Sequence, residues 1–310
     1  MVFEETEKEI EIRIKGGRIF PVTPIILYLT DPKEYYRKYH LRKKHPFDRA
    51  QAIGLAVHRI LQIAGTNRMS FSDPNKLRAF IRGVYPDFLA TDKESQRVWE
   101  FLKKQNALEG IYNVLNKYFD DFSLKDVVAT EAEFLFPLDN KNFIKSRFDQ
   151  IRKVEDNYCI VDLKFKTSLP VESPNLFVIM EMLIQQIGFC KTRGLEPVMI
   201  LHDLTQSKRF IMNSGAIDQK KFVDMLLLAA RGIKGKMFFP NQMALVGFEN
   251  PWQEANSILK ELDLEQNVHW QEEKREKEGK KTEALICGDH LKEMTYDNSL
   301  KRWLCPQCLY

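Results

Sequence analysis

Long apolar runs are missing from this chain of 310 residues. None approaches the roughly 18 consecutive apolar residues that a membrane-spanning helix needs, so no membrane span is expected. The opening MVFEETEKEI is acidic and lacks the apolar core of a signal peptide. A cytoplasmic protein of prokaryotic or viral origin is the expectation. Cysteine is scarce: five residues, an odd number, argue against a disulfide framework. No glycine-rich phosphate loop is present, which removes the usual ATP motor. No serine or cysteine stands in a nucleophile pattern. Charge of one sign is also lacking, with a net balance of only +4; this neither requires nor excludes nucleic acid, so local clusters decide. What remains is 44% apolar and 29% charged residues, ample for a packed core and for two domains.

The periodicity changes twice along the chain. EIEIRIKGGRIFPV alternates strictly and turns at Gly16-Gly17, which predicts a β-hairpin over residues 1–23. Residues 24–125 are mostly of helical period, as in FDRAQAIGLAVHRILQIAG. Residues 126–245 then read as three successive strands (DVVATEAEFLF, NFIKSRFDQIRKVE, YCIVDLKFK), an apolar helix ended by Gly194, two further strands and a last helix. Residues 246–310 hold a mixed charge run, QEEKREKEGKK, read as a linker, and a Cys/His tail.

Within IVDLKFKTS, side chains alternate across the strand. Val161, Leu163 and Phe165 share one face; Asp162, Lys164 and Lys166 share the other, beside Ile160. Asp-x-Lys alone says nothing, since Asp139/Lys141 and Glu272/Lys274 repeat it. Its setting gives it weight. Asp162 and Lys164 stand about 6.6 Å apart along one strand face, and Asp149 lies on the strand before. A short hairpin brings the two carboxylates together. Crowded carboxylates repel unless a cation joins them, and hard oxygen ligands suit Mg²⁺ or Mn²⁺. A lysine beside them can act on a water or neutralise a phosphate.

On these residues the chain resembles the PD-(D/E)XK nucleases, most closely their RecB-like branch, over residues 24 to 242. The matching pieces run in order: GLAVHRIL with Gly54 and His58, EAEFLFPL with Glu131, SRFDQI with Asp149, IVDLKFKT, QQIGF with Gln185, and MFFPN near residue 240. The resemblance implies a restriction-endonuclease-like α/β core with a mixed central sheet flanked by helices, preceded by an N-terminal helical region; the Cys/His spacing of the tail adds a small C-terminal zinc-ribbon-like module. It implies that His58, Asp149 and Asp162 ligate Mg²⁺ or Mn²⁺ together with the Leu163 carbonyl. Lys164 would act on the attacking water and Glu131 would support the site. Gln185 would hold either the lysine or the DNA backbone. Ser146 replaces the usual glycine, and Phe189 stands where the pattern has tyrosine, so that hydroxyl's role is lost.

Two further clusters bear on partners. KEYYRKYHLRKKH interleaves aromatic and basic residues. Tyr36, Arg37, Lys38, Arg42 and Lys43, with Lys166, are candidates for phosphate contact and base stacking. The same segment also reads as an amphipathic helix with its tyrosines inward. Arg59 and Arg147 are weaker candidates for the same surface. In the tail, Cys287-x2-His290, fourteen residues, then Cys305-x2-Cys308 fit a tetrahedral zinc site. The resemblance offers an iron–sulfur cluster instead. Asp31 occupies the place of its upstream cysteine and His290 that of a thiolate, so zinc is the expected metal. Such a tail would be a cap, a DNA contact or a dock for a protein partner. The function expected is a metal-dependent DNA nuclease, exonuclease or structure-guided endonuclease, acting on DNA that is single-stranded or has a free end. Repair, recombination, CRISPR and viral replication are the candidate settings. The competing reading is a non-catalytic nucleic-acid-binding or assembly subunit that keeps the fold.

Overall fold

The computed structural model describes residues 6–43, 49–71, 73–89, 93–155, 157–165, 176–215, 217–237, 251–273, 295–297 and 302–304. Lys166, the Phe-Pro segment after Met237, and Cys287, His290, Cys305 and Cys308 lie outside the described residues. The chain divides into two compact units, Met1–Glu272 and Glu273–Tyr310.

The first unit begins with α1 (Glu7–Ile14) and β1 (Arg18–Pro21), not with the expected hairpin. The alternation of EIEIRI misleads because a stronger local signal precedes it. Thr6 and Glu9 close a capping box, with each side chain bonded to the other's backbone N–H. Ile12 goes inward while Ile10 and Ile14 stay exposed. Glu9 is buried and pairs with Lys145 at 2.8 Å, fixing α1 to the sheet. Burial opposes the Glu9 charge, but Lys145 and the Thr6 N–H outweigh it and hold the carboxyl below its usual 4.5. A depressed acid stabilises the fold above its unfolded pKa, and that contribution is lost as pH falls through the folded value. Glu9→Ala is therefore expected to cost about 1–3 kcal/mol near neutral pH. The difference from wild type should narrow as pH falls below the ordinary carboxylate value of 4.5 and through the lower folded value, which urea unfolding at several pH values would measure.

The helical region follows: α2 (Val22–Thr30), α3 (Pro32–Tyr35), a π-helical turn (Tyr36–His40), α4 (Arg49–Thr66), α5 (Pro74–Leu89), α6 (Lys93–Lys104) and α7 (Leu108–Asp121). Next come β2 (Val127–Pro137), β3 (Asn142–Val154), β4 (Asn157–Lys164), α8 (Leu176–Arg193), β5 (Val198–Asp203), β6 (Lys208–Asn213) and α9 (Gln219–Lys234). Gly194, at φ +68, ends α8 in the left-handed conformation that glycine adopts without strain. The unit does not stop near residue 245. It continues through α10 (Pro251–Leu262), α11 (Leu264–Asn267) and β7 (His269–Glu272). Ala255, Leu262, Leu264 and Val268 of this stretch join the main core, and the Trp252 indole N–H donates to the Tyr28 carbonyl at 3.1 Å. The expected boundary therefore moves to Glu272, because the apolar positions just before the charge run have a core to bury against. In the second unit, β8 (Thr295–Asp297) pairs antiparallel with β9 (Arg302–Leu304).

Seven strands form one mixed sheet in the order β1-β3-β4-β5-β6-β7, with β2 also paired to β3. β1–β3 and β4–β5 are parallel and the other pairs antiparallel. Strand alternation splits β4 between two cores. Ile160 belongs to one, shared with α2, α8, α9 and α10. Val161 and Leu163 belong to the other, built with α4 to α7. Helices thus cover both faces of the sheet, as a mixed sheet buried on both sides requires. Cys159 and Cys190 are half-buried.

Candidate active site

β2 pairs with β3 between residues 143 and 152, with a register shift between Val127 and Ala129, so β1 and β4 must share the opposite edge of β3. β1 takes residues 142–145 and β4 takes 150–154. The ladder opens between them, and side chains there replace missing backbone partners, as buried peptide groups demand. Asp149 Oδ2 accepts the Leu163 N–H at 2.8 Å. Gln185 Nε2 donates to the Arg147 carbonyl at 3.2 Å. The gap thus places an acidic side chain at the end of β4 and anchors it.

The register builds a rank of acids around this gap. Gln150, opposite Val161, is the last paired residue of the β3–β4 ladder, and Asp149 just beyond it comes close enough for its charge to act on Asp162. On the other side, Thr130 and Ala132 lie opposite Gln150 and Phe148, which sets Glu131 toward Asp149. Glu131 holds φ +51 inside β2. That left-handed conformation costs a non-glycine residue about 1–3 kcal/mol and is characteristic of functional sites.

His58 arrives from α4. Two glycines let that helix lie close. A Cβ on Gly54, one turn before His58, would come within 3.1 Å of Phe165 Cβ, and one on Gly65 within 2.5 Å of Thr130 Cγ2. The Gly-x-x-x-His spacing is thereby explained as close approach of helix to strand end. His58 Nδ1 lies 3.6 Å from Asp149 Oδ2. One donor atom from each of His58, Glu131 and Asp149 falls within 4.8 Å of the others.

Asp162 is 2% exposed and its partner is Lys164. The ammonium donates to Oδ1 at 3.2 Å and lies 2.9 Å from Oδ2, an approach with the wrong angles for a hydrogen bond. Oδ2 is therefore a buried anionic oxygen without a hydrogen-bond donor. Lys164 also donates to Glu181 Oε2 at 2.7 Å. Burial opposes the Lys164 charge, but Asp162, Glu181 and Asp149 outweigh it and hold the ammonium far above the ordinary lysine range. Burial, and then Asp149, push the Asp162 carboxyl up against the opposing pull of Lys164. Glu131 is likewise raised by burial and by Asp149, although Arg147, His58 and Arg59 pull it down. Arg147 pairs directly with Glu131.

The structure therefore gathers His58, Glu131 and Asp149 as one donor cluster and sets the Asp162–Lys164 pair beside Asp149. Glu131, expected only as support, offers a donor atom on equal terms. Gln185 bonds to neither Lys164 nor Asp162; it completes the β3 backbone. The residue that grips the lysine is Glu181, four positions earlier on α8, which sequence reasoning missed. Its signal was a single acid in LFVIMEMLIQQIGF, which means little without a partner in view. Phe189 is buried, edge-on to Phe148 at 5.9 Å. Its aromatic ring serves the core, where a hydroxyl has no task.

Of the basic segment, Tyr35 is buried, and Tyr36 packs partly against the core and stacks on His40 at 5.4 Å. Arg37, Lys38, Arg42 and Lys43 remain exposed, with Arg37 paired to Glu34.

The donor set tests well for a hard cation. Carboxylates are ligands suited to Mg²⁺ or Mn²⁺, and the Asp149 charge that, after burial, pushes Glu131 and Asp162 up is a repulsion that a cation would relieve. A mixed sheet sandwiched by helices, with this cluster and a lysine at adjoining strand ends, is an α/β arrangement consistent with the core of a PD-(D/E)XK nuclease. A sequence profile of the PD-(D/E)XK nuclease superfamily matches residues 22–185, more than half of the chain. The chain belongs to that superfamily. No curated protein matches it closely enough to be called a relative.

Proposed function

We propose that this protein is a Mg²⁺- or Mn²⁺-dependent deoxyribonuclease of the RecB-like branch. The observation that carries this reading is the His58–Glu131–Asp149 cluster standing beside the intact Asp162–Lys164 pair. His58, Glu131, Asp149 and the Asp162 carboxylate would hold the cation. When bound, it would polarise the phosphate and lower the pKa of an attacking water.

The chain's own residues do the rest. Lys164 donates two of its three N–H bonds to carboxylates, which leaves the third for a phosphate oxygen or the water. As a fixed cation it offsets charge that grows on the phosphate in the transition state. The Leu163 N–H and the His58 ring hold Asp149 in place from two sides. Gln185 keeps β3 in register at the gap. Exposed Arg37, Lys38, Arg42 and Lys43, with Arg147 at the rim, supply phosphate contacts that position a strand without reading its sequence. The substrate proposed is DNA with a single-stranded region or free end, cut as an exonuclease or structure-guided endonuclease in repair, recombination, CRISPR or viral replication. The tail is proposed to hold structural zinc through Cys287, His290, Cys305 and Cys308.

The test incubates the protein with labelled single- and double-stranded DNA and with RNA. DNA cleavage is expected with Mg²⁺ or Mn²⁺ and none with EDTA. Absence of metal-dependent cleavage on every DNA form would overturn the reading and favour a binding subunit that keeps the fold. Elemental analysis of the same preparation for zinc and iron reads the tail.

A further inference from the structure

Helix α8 is apolar along most of its length, and Glu181 is the sole acid in it. Its neighbours Met180 and Met182 are fully buried, and its own side chain is only 19% exposed. A carboxylate in such a place is costly unless a cation meets it. The cation is Lys164, and at 2.7 Å this contact is shorter than either contact between Lys164 and Asp162.

The two carboxylates that hold Lys164 differ in kind. Asp162 lies on the lysine's own strand and feels the charges of Asp149 and His58 in the donor cluster. Glu181 comes from the helix layer on one face of the sheet, whereas His58 comes from the layer on the other. Among the described residues, neither Asp162 nor Glu181 belongs to the three-residue cluster that could hold a metal, but Asp162 lies within reach of the Asp149 and His58 charges of that cluster, while Glu181 enters from the helix layer opposite His58. A cation drawing on Asp162 would therefore compete with Lys164 for those oxygens, but not for Glu181.

We propose that Glu181 is a positioning residue that keeps the Lys164 ammonium in place while Asp162 is engaged by the metal. This rests on the nuclease reading above. A lysine held by Asp162 alone would be released from the reacting phosphate at the moment it is needed. Glu181, rigid on a packed helix and outside the donor set, removes that conflict.

The isosteric Glu181→Gln keeps the size of the side chain, so the fold should persist. It is expected to lower kcat about 10- to 100-fold, the range for groups that orient a primary residue. KM for DNA and the Mn²⁺ concentration for half-activation should not move. If Glu181 acts through Lys164, then Glu181→Gln combined with Lys164→Ala should be no slower than Lys164→Ala alone. A residue that merely supports the fold would add its own loss, and that result would overturn the proposal.

A second readout needs no turnover. In ¹⁵N-labelled protein, the Lys164 ammonium should give a slowly exchanging NMR signal, assigned by its loss in Lys164→Ala. The signal should persist when Mg²⁺ is added to wild type and vanish in Glu181→Gln. A signal unchanged in Glu181→Gln would also overturn the proposal. This arm stands apart from the nuclease reading. If wild type cleaves no DNA yet the signal depends on Glu181, the activity assignment fails and the anchoring of the lysine stands.

Discussion

Lys164→Ala is expected to reduce metal-dependent DNA cleavage by about 10²- to 10³-fold or more, the range for loss of one preorganised group aimed at developing charge. The reason lies in its surroundings. Its ammonium is fixed between Asp162 and Glu181, so no reorganisation is needed when charge grows on the phosphate. Another lysine would not substitute for it, because this position is set by the strand end and by α8 together. Removing it also leaves the Asp162 and Glu181 carboxylates uncompensated in a mostly dry place, which costs stability. That loss should be recovered in part by Mg²⁺, which supplies positive charge at the same spot and binds only the folded state. Thermal unfolding with and without Mg²⁺ separates the two effects. Cleavage undiminished in the variant would remove Lys164 from the mechanism.

Asp149→Asn should be equally damaging to activity for a different reason. Asp149 is the middle of the acidic rank and the residue that His58 approaches. Asparagine keeps an oxygen that can accept the Leu163 N–H, so the bridge from β3 to the end of β4 is retained. It removes one negative charge from a crowded set. Stability without metal is therefore expected to hold within about 1 kcal/mol, or to rise slightly as repulsion is relieved. Mn²⁺ affinity should fall by about 10-fold or more, and cleavage by about 10²-fold or more, through loss of the cation's charge stabilisation. Calorimetric titration with Mn²⁺ beside a cleavage assay would check both. Unchanged Mn²⁺ affinity would mean that Asp149 does not hold the ion.

Much of the site was legible because it rests on short-range rules. Alternation in IVDLK put Ile160 on one face and Val161 and Leu163 on the other, and the two cores divide in that way. The short connection between the strands brought the Asp149 charge within reach of Asp162. What failed did so where two local signals competed. EIEIRI alternates like a strand, but the Thr6–Glu9 box that starts a helix was equally present and prevailed. The segment after residue 250 carried apolar residues at helical spacing, yet its neighbouring charge run drew the boundary too early.

The sequence by itself determined the order of the central strands and helices from β2 to α9 and the placing of Asp162 and Lys164 on one strand face. These follow from backbone period, which is a property of adjacent residues. Only the tertiary structure decided that Glu131 turns into the cluster through a left-handed backbone, that Gln185 serves a β3 carbonyl, and that Glu181 grips the lysine. Each of these depends on where a sheet opens and which helix covers the opening, and no pattern local to one segment encodes that distance.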